Sequence, residues 1–345
     1  MVNPSGNGIH VPLHADGIGT VQFDVQRTGV VHHLLRGAGT AQHMQAGDHA
    51  GGQGCFTDAH IELERAYAQV GGNGQINMAL CCDFLSWRLS LHTDVERRYT
   101  FSERYAALLR YHDASWINIW SATSAYYHAL RGETDKIPEI FSQHRLSDIH
   151  LLAPGKPMME MIENQVYLAQ GAYAKVVGRS AELLAACEAM HYALVALHIR
   201  IQTAAAYARL GKPETAHAWL QKALSDAAPD GLVMPFAENY SLLKPLLARE
   251  TRSAFAARIT ALGEAAQARG AERLRPAAFR SLTAREFEIV ELMVQRLSNR
   301  EIAQKCYLSE GSVKQYVNQI YSKLHIAGDT RTKRAQLAAL LHEKT

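Results

Sequence analysis

Residues 298–324 of this 345-residue chain read SNREIAQKCYLSEGSVKQYVNQIYSKL. They contain two short helical patterns separated by a tight turn at residues 307–309. In the second pattern, from about Glu310 to Leu324, apolar residues recur at helical spacing and leave the opposite face polar. A short helix, a tight turn and a second helix with a polar outward face form a helix-turn-helix, in which the second helix fits the major groove of DNA.

The segments on either side of this stretch predict two further helices. Two capping boxes, each a hydroxyl residue with a glutamate three positions later, open helices at Thr283 and Ser298. A last amphipathic helix is predicted from about Thr332 to Leu341. We therefore expect residues 281–345 to fold as a domain of four short helices.

The positive charge of the chain is concentrated in this same region. Residues 280–345 hold eleven Lys/Arg and seven Asp/Glu, a net charge of +4. The first 279 residues hold 25 and 26, a net charge of −1. Because the basic excess is confined to the C-terminal domain, a polyanion such as DNA is expected to bind there.

Specific side chains of this domain are candidates for DNA contact. Lys314 suits guanine O6 and N7, and the amides of Gln315 and Asn318 suit adenine N6 and N7. Hydroxyls, amides and free backbone N–H groups at helix starts suit phosphate oxygens. Each of these residues taken alone is equally compatible with solvated surface. The complete candidate set is Thr283, Arg285, Ser298, Asn299, Arg300, Ser309, Ser312, Lys314, Gln315, Asn318 and Lys323.

Four runs within residues 281–341 together resemble the LuxR/FixJ-type helix-turn-helix domain. They are LTARE (282–286), LSNREIA (297–303), LSEGSVK (308–314) and IYSKL (320–324). The resemblance implies a recognition helix beginning near Ser312, in which Lys314, Gln315 and Asn318 contact bases. It also implies that the fourth helix mediates dimerisation, so that a homodimer binds a pseudo-palindromic site.

The sequence departs from that family pattern at three places. Tyr316 stands where the family usually has His, which alters a phosphate contact. Gly311 weakens the start of the recognition helix. Residues 328–334 (GDTRTKR) form a longer and more basic link than is common, which makes the dimerisation helix less certain and offers extra phosphate contacts.

The long segment upstream contains a helical repeat. AYYHALRG (125–132), NQVYLAQG (164–171) and AAAYARLG (204–211) align, and their glycines lie 39 and 40 residues apart. Each glycine comes directly after a predicted helix, at the position where a residue in the left-handed conformation commonly ends a helix. A second helical stretch is expected after each glycine. Gly47-Asp48 falls about two periods before the first of these glycines. This period is typical of a TPR-like α-solenoid, and a non-repetitive helical domain is the alternative.

The fold class is therefore predicted to be all-α. The expected domains are a poorly patterned lead-in at 1–27, the repeats at 28–250, a helix and linker at 251–280, and the helix-turn-helix domain at 281–345. The repeats resemble those of the MalT-type branch of LuxR regulators, whose larger members carry an ATPase. No phosphate-binding G-x-x-x-x-G-K-[ST] run occurs in this chain, so a signal is expected to enter through the repeats or a partner.

Motifs for other chemistries are absent from the sequence. The five cysteines and 17 histidines show no metal-ligand spacing, and no hydrolase elbow occurs. No apolar run is long enough to span a bilayer, and residues 1–19 lack the pattern of a signal peptide. We therefore expect a cytoplasmic protein without catalytic residues, metal or cofactor. An aromatic-rich region, favoured as core, is the place where a small-molecule pocket would be sought: Trp87, Trp116, Trp120, Tyr126 and Tyr127.

Together these features predict a sequence-specific transcription regulator that binds double-stranded DNA. Its expected partners include a second copy of the chain on DNA and an unknown small-molecule or protein effector at the repeats, and RNA polymerase is a further candidate. A helical-repeat interaction scaffold with an accessory DNA-binding domain is the alternative. An enzyme is a third and weaker interpretation.

Overall fold

The computed structural model describes residues 8–10, 22–24, 42–70, 76–94, 97–111, 114–149, 155–274 and 276–342. The chain divides into two compact units, Met1–Ala266 and Gln267–Thr345. Almost all described elements are helices, so the all-α prediction is confirmed apart from one pair of short strands. None of the described helices combines the length and the apolar character that crossing a bilayer requires.

The two strands lie near the N-terminus. β1 (Gly8–His10) pairs antiparallel with β2 (Gln22–Asp24), with Ile9 opposite Phe23. The sequence pattern predicts only a poorly patterned lead-in at residues 1–27. Strands of three residues are too short for an alternating pattern to reveal them.

Thirteen helices follow among the described residues as far as residue 274. They are α1 (42–52), α2 (Phe56–Val70), α3 (Ile76–His92), α4 (Phe101–Leu108), α5 (Ala114–Leu130), α6 (Glu139–Ser142), α7 (Lys156–Ala169), α8 (Tyr173–Ala189), α9 (Ala193–Arg209), α10 (Pro213–Ala227), α11 (Met234–Glu238), α12 (Tyr240–Leu247) and α13 (Ala254–Leu274).

The aligned segments form the last turns of α5, α7 and α9, as the repeat predicts. The glycines that follow, Gly132, Gly171 and Gly211, have φ angles of 69°, 77° and 71°, which is the left-handed region. At the second of them, the N–H of Ala172 donates to the carbonyl of Tyr167 at 2.8 Å and closes the helix end. The same bond recurs at the other two glycines, so the repeat is a repeat of geometry as well as of sequence.

Two details of the expected repeat differ. Gly47 lies inside α1, and the left-handed glycine that the described residues contain upstream of Gly132 is Gly54, with φ 77°, 78 positions earlier. The stretch after Gly132 contains only short helical turns and the four-residue α6, not a full second helix. Pro138 forces the preceding Ile137 into an extended conformation, so a helix cannot run on from that glycine.

Helix α9 forms the centre of the first unit. Ile199, Ile201, Ala204 and Ala205 are fully buried, and α9 packs against both α8 and α10. Ile201, Ala204 and Ala205 belong to one buried cluster and Ile199 to a second, so α9 contributes to two hydrophobic cores of this unit. An all-round buried helix of this kind explains the weak amphipathic pattern in this segment.

The first helices also contact the last ones, so the helical array is closed. The N–H of Val233 donates to the carbonyl of Gly52 at 2.7 Å. The Gln53 side chain donates to the carbonyl of Asp230 at 2.9 Å, and Arg258 donates to the carbonyl of Gln53 at 3.0 Å. Residues about 180 to 205 positions apart are thereby joined.

Candidate nucleic-acid interface

Four helices form the second unit beyond the linker, as predicted. They are α14 (Ala284–Val294), α15 (Asn299–Cys306), α16 (Glu310–Lys323) and α17 (Thr330–His342). One hydrophobic core joins them, with Ile289, Ile302, Val313 and Ile320 fully buried. Leu337 brings α17 into the same core.

Both predicted capping boxes are present. The Thr283 hydroxyl accepts from the N–H of Glu286 at 3.2 Å, and the N–H of Thr283 donates to the Glu286 carboxylate at 2.7 Å. The Ser298 hydroxyl accepts from the N–H of Glu301 at 3.3 Å, and the N–H of Ser298 donates to the Glu301 carboxylate at 2.7 Å. These bonds fix where α14 and α15 begin.

The turn between α15 and α16 is equally well defined. Tyr307 has φ 53°, and the next N–H, of Leu308, donates to the carbonyl of Ala303 at 2.9 Å. Ser309 then caps α16, since its hydroxyl accepts from the N–H of Ser312 at 3.0 Å. The left-handed residue and the cap together set the direction in which α16 leaves the turn.

Helix α16 has a buried face and an exposed polar face. Val313, Ile320 and Tyr321 are buried. The exposed face is polar over three turns and consists of Lys314, Gln315, Asn318, Gln319 and Ser322. Lys314 forms no ion pair with any residue that the structure describes, so its charge is available to a ligand.

Besides the capping residues, two of the predicted contact residues, Lys323 and Arg285, have side-chain bonds that join helices of the domain. Lys323 donates from Nζ to both carboxylate oxygens of Glu286 at 2.7 Å, which ties α16 to α14. Arg285 donates to the Glu288 carboxylate at 2.6 Å and to the carbonyl of Cys306, which ties α14 to the end of α15. Sequence reasoning missed the bonds of Lys323 to Glu286 and of Arg285 to Cys306 because these pairs are 37 and 21 positions apart and carry no local signal.

Among the residues that the structure describes in this domain, Glu286 is a buried charged side chain. Only 2% of the residue is exposed. Burial raises its pKa, but the bonds from Lys323 and from the cap at Thr283 outweigh burial, and the net pKa lies below the ordinary value. The carboxylate therefore stays ionised and serves both the cap of α14 and the link to α16.

The remaining candidates lie on the surface at helix starts. Arg300 is exposed and forms no ion pair with any described residue, and Asn299 is half-buried.

Of the three departures from the family pattern, Tyr316 is half-buried against the core, and a Cβ at Gly311 would meet only the Ser309 hydroxyl, at 3.7 Å. In the basic link, the Asp329 carboxylate caps α17 by accepting from the N–H of Thr332 at 2.7 Å. From the same segment Arg334 donates to the carbonyl of Leu297 at 3.1 Å.

Comparison with known proteins agrees with this geometry. Residues 280–335 match the family model described as "Bacterial regulatory proteins, luxR family", so this segment is a luxR-type helix-turn-helix domain.

One curated relative matches over part of the same region. Transcriptional regulatory protein LnrK of Bacillus subtilis (strain 168) is 44% identical over 50 residues, which is 14% of this chain and 23% of that protein. The chain thus spans less than a quarter of the length of the relative. No solved structure matches the chain.

Proposed function

We propose that this protein is a sequence-specific DNA-binding transcription regulator. The observation that carries the proposal is the exposed polar face of α16, held on a core by three capped helix starts. The luxR-family match and the name of the relative support the same assignment. A cytoplasmic location would follow from the DNA partner.

The exposed residues divide into two kinds of contact in this proposal. Lys314, Gln315 and Asn318 read base edges in the major groove. The starts of the helices, with free N–H groups beside the caps, hold phosphates, and Arg300 adds a charge there. Lys323 and Arg285 act mainly by holding the helices in place, because their donors are already engaged.

A homodimer on DNA is part of the proposal. The apolar residues Leu337, Leu340 and Leu341 of α17 pack on the core of their own domain. A dimer through α17 would therefore use its exposed side, with Thr332, Ala335, Gln336 and Ala339. In this proposal the helical repeats receive a ligand or protein signal, as in a MalT-like arrangement, and the DNA-bound regulator contacts RNA polymerase.

A base-reading role for Lys314 gives the sharpest test. Lys314→Ala should weaken binding to the specific site by about 1–3 kcal/mol and relax base preference, while binding to random DNA changes little. Lys175→Ala, which removes an exposed lysine of α8 in the first unit, is the matched control and should change neither. Fluorescence anisotropy on specific and random duplexes at fixed salt measures both.

Two results would contradict the proposal, one for the role of Lys314 and one for the regulator assignment as a whole. Equal loss on specific and random DNA would remove Lys314 from the base-reading set. If the unmodified protein preferred no genomic fragment at physiological salt, the regulator assignment itself would fail, and the helical-repeat scaffold would be favoured.

A further inference from the structure

A cavity of about 240 Å³ lies within the first unit. Its walls come from α1, α3, α5, α7 and α9, and they are mostly apolar. The apolar lining includes Ala122, Leu194 and four methionines, Met44, Met158, Met159 and Met161. Four methionines give this lining adaptable, polarisable surfaces, which suit a ligand of irregular outline.

A polar cluster also lines this cavity. Arg88 donates to both Glu238 carboxylate oxygens at 2.8 and 3.2 Å and to Asp48 at 3.2 Å. The Tyr126 hydroxyl donates to Glu238 at 2.8 Å and lies 3.3 Å from Nδ1 of His198. Arg88, Asp48, Tyr126 and His198 all face the cavity. Convergent polar groups in an otherwise apolar cavity are the usual composition of a small-molecule site.

The charge of this cluster restricts the kind of ligand. The single guanidinium of Arg88 is already bonded to two carboxylates, that of the fully buried Glu238 and that of Asp48, which lines the cavity. A cationic ligand would have to compete with Arg88 for these carboxylates. Burial, reinforced by the nearby Arg88, lowers the pKa of His198 to about 4, so this imidazole is neutral at physiological pH. An anionic ligand would have to displace Asp48, whereas an uncharged ligand disturbs no ion pair.

The cavity has an accessible side. Met158 and Leu194 are each 36% exposed, and both also line the wide groove that runs beside α8 and α9 in the same unit. A molecule can therefore enter from the groove by moving two flexible side chains.

We propose that this cavity binds a small, uncharged, mostly apolar molecule with one hydrogen-bonding group, which is directed at Arg88, Tyr126 and His198. A cavity of about 150 Å³ already holds benzene, so the occupant is of the size of one substituted ring or a short acyl chain. That this occupant is the signal read by the regulator rests on the function proposed above.

Three probes of nearly equal size separate the chemical classes. Benzyl alcohol is neutral, benzoate is anionic and benzylamine is cationic, and each is titrated against the full chain by saturation-transfer NMR. We expect benzyl alcohol to bind about tenfold more tightly than either charged probe, a difference of about 1.4 kcal/mol.

Two variants locate the site. Met158→Trp blocks the accessible side at a partly exposed position, and Ala122→Leu fills the cavity from α5. Each should weaken benzyl alcohol binding by about tenfold or more. Ala174→Leu, at an exposed position of α8, is the matched control and should leave binding unchanged. Circular dichroism melting identifies folded variants, and if Ala122→Leu does not fold, Met158→Trp decides alone.

The possible outcomes are distinct. Equal affinity for the three probes, or binding that survives Met158→Trp, would overturn the cavity as the site. Preference for benzoate would overturn the uncharged ligand and make Arg88 an anion receptor. DNA binding measured on the same samples tests the proposed regulator independently of the cavity. If the probes do not bind but the protein still binds DNA selectively, only the cavity proposal is overturned. Probe binding without DNA selectivity overturns only the proposed regulator.

Discussion

Lys323 shows how a residue on the second helix of a helix-turn-helix can serve the fold of its own domain. Its ammonium group lies 2.7 Å from both oxygens of Glu286, a carboxylate that is almost wholly buried. Glu286 also accepts the cap bond from Thr283, so one carboxylate fixes the start of α14 and the end of α16. The placement of the exposed face of α16 therefore depends on this pair.

Removing the lysine should cost stability. We expect Lys323→Ala to lower the free energy of unfolding by about 1–3 kcal/mol, because a buried carboxylate loses its partner while the lysine itself is partly exposed. Lys314→Ala should change it by less than about 0.5 kcal/mol. Urea denaturation of the two variants makes the comparison.

A double variant completes this test. Adding Glu286→Gln to Lys323→Ala removes the unpaired charge and should restore part of the lost stability. Additive losses in the double-mutant cycle would show that the two side chains are not coupled. Lys323 would then return to the set of candidate DNA contacts.

For single residues, the sequence predicts helix-capping bonds well, but it does not predict side-chain bonds between residues that are distant in the chain. A cap is a relation between residues three positions apart, so Thr283 and Ser298 were recognisable together with their glutamates. The bond from Arg285 to the carbonyl of Cys306 spans 21 positions. Such a bond depends on how two helices cross, which no local pattern specifies.

At the scale of the helices, the glycines that end the repeated helices allow the effect of backbone conformation on stability to be tested without a change in packing. A Cβ added at Gly171 would meet nothing within 4 Å, yet its φ is 77°. Gly178, inside α8, is equally open but does not have a positive φ. The two glycines thus differ in backbone conformation and not in available space.

Alanine should therefore act in opposite directions at these two sites. Gly171→Ala should lower the free energy of unfolding by about 1 kcal/mol, because the left-handed conformation disfavours a side chain. Gly178→Ala should raise it by about 0.5–1 kcal/mol through helix propensity. Thermal or urea unfolding measures both, and a change of the same sign at both sites would refute the explanation.

The helices themselves were predictable where their signals are local. The third helix of the C-terminal domain is predicted from about Glu310 to Leu324 and runs from Glu310 to Lys323. The register of the first repeat was not recovered, because Gly47 and Gly54 look alike in the sequence and only packing distinguishes them. At Gly47 a Cβ would lie 3.1 Å from Leu85 and 3.2 Å from the carbonyl of Ala59, so this glycine permits close approach between helices.

For the molecule as a whole, the asymmetry of charge predicts how DNA binding responds to salt. The net charge is +4 over residues 280–345 and −1 over the rest of the chain. Phosphate contacts release bound counterions, so affinity for any DNA should fall steeply with ionic strength. We expect a loss of about a hundredfold or more between 50 and 200 mM salt.

A single arginine should contribute measurably to that dependence. Arg300→Ala should weaken binding to all sequences and reduce the slope of log affinity against log salt by about one. Arg252→Ala, an exposed arginine of the first unit, is the control and should leave the slope unchanged. An unchanged slope for Arg300→Ala in salt-dependent anisotropy would exclude a phosphate contact at this residue.

The closure of the helical array restricts how this chain can evolve. In an open solenoid each repeat touches only its neighbours, so whole repeats are gained or lost with little effect on the others. Here Val233 bonds to Gly52, and the buried Glu238 depends on Arg88 from 150 positions earlier. Inserting or deleting one unit of about 40 residues would separate these pairs and leave a carboxylate buried without a cation. We therefore expect relatives of the first unit to conserve the number of repeats and to diversify by substitution within them.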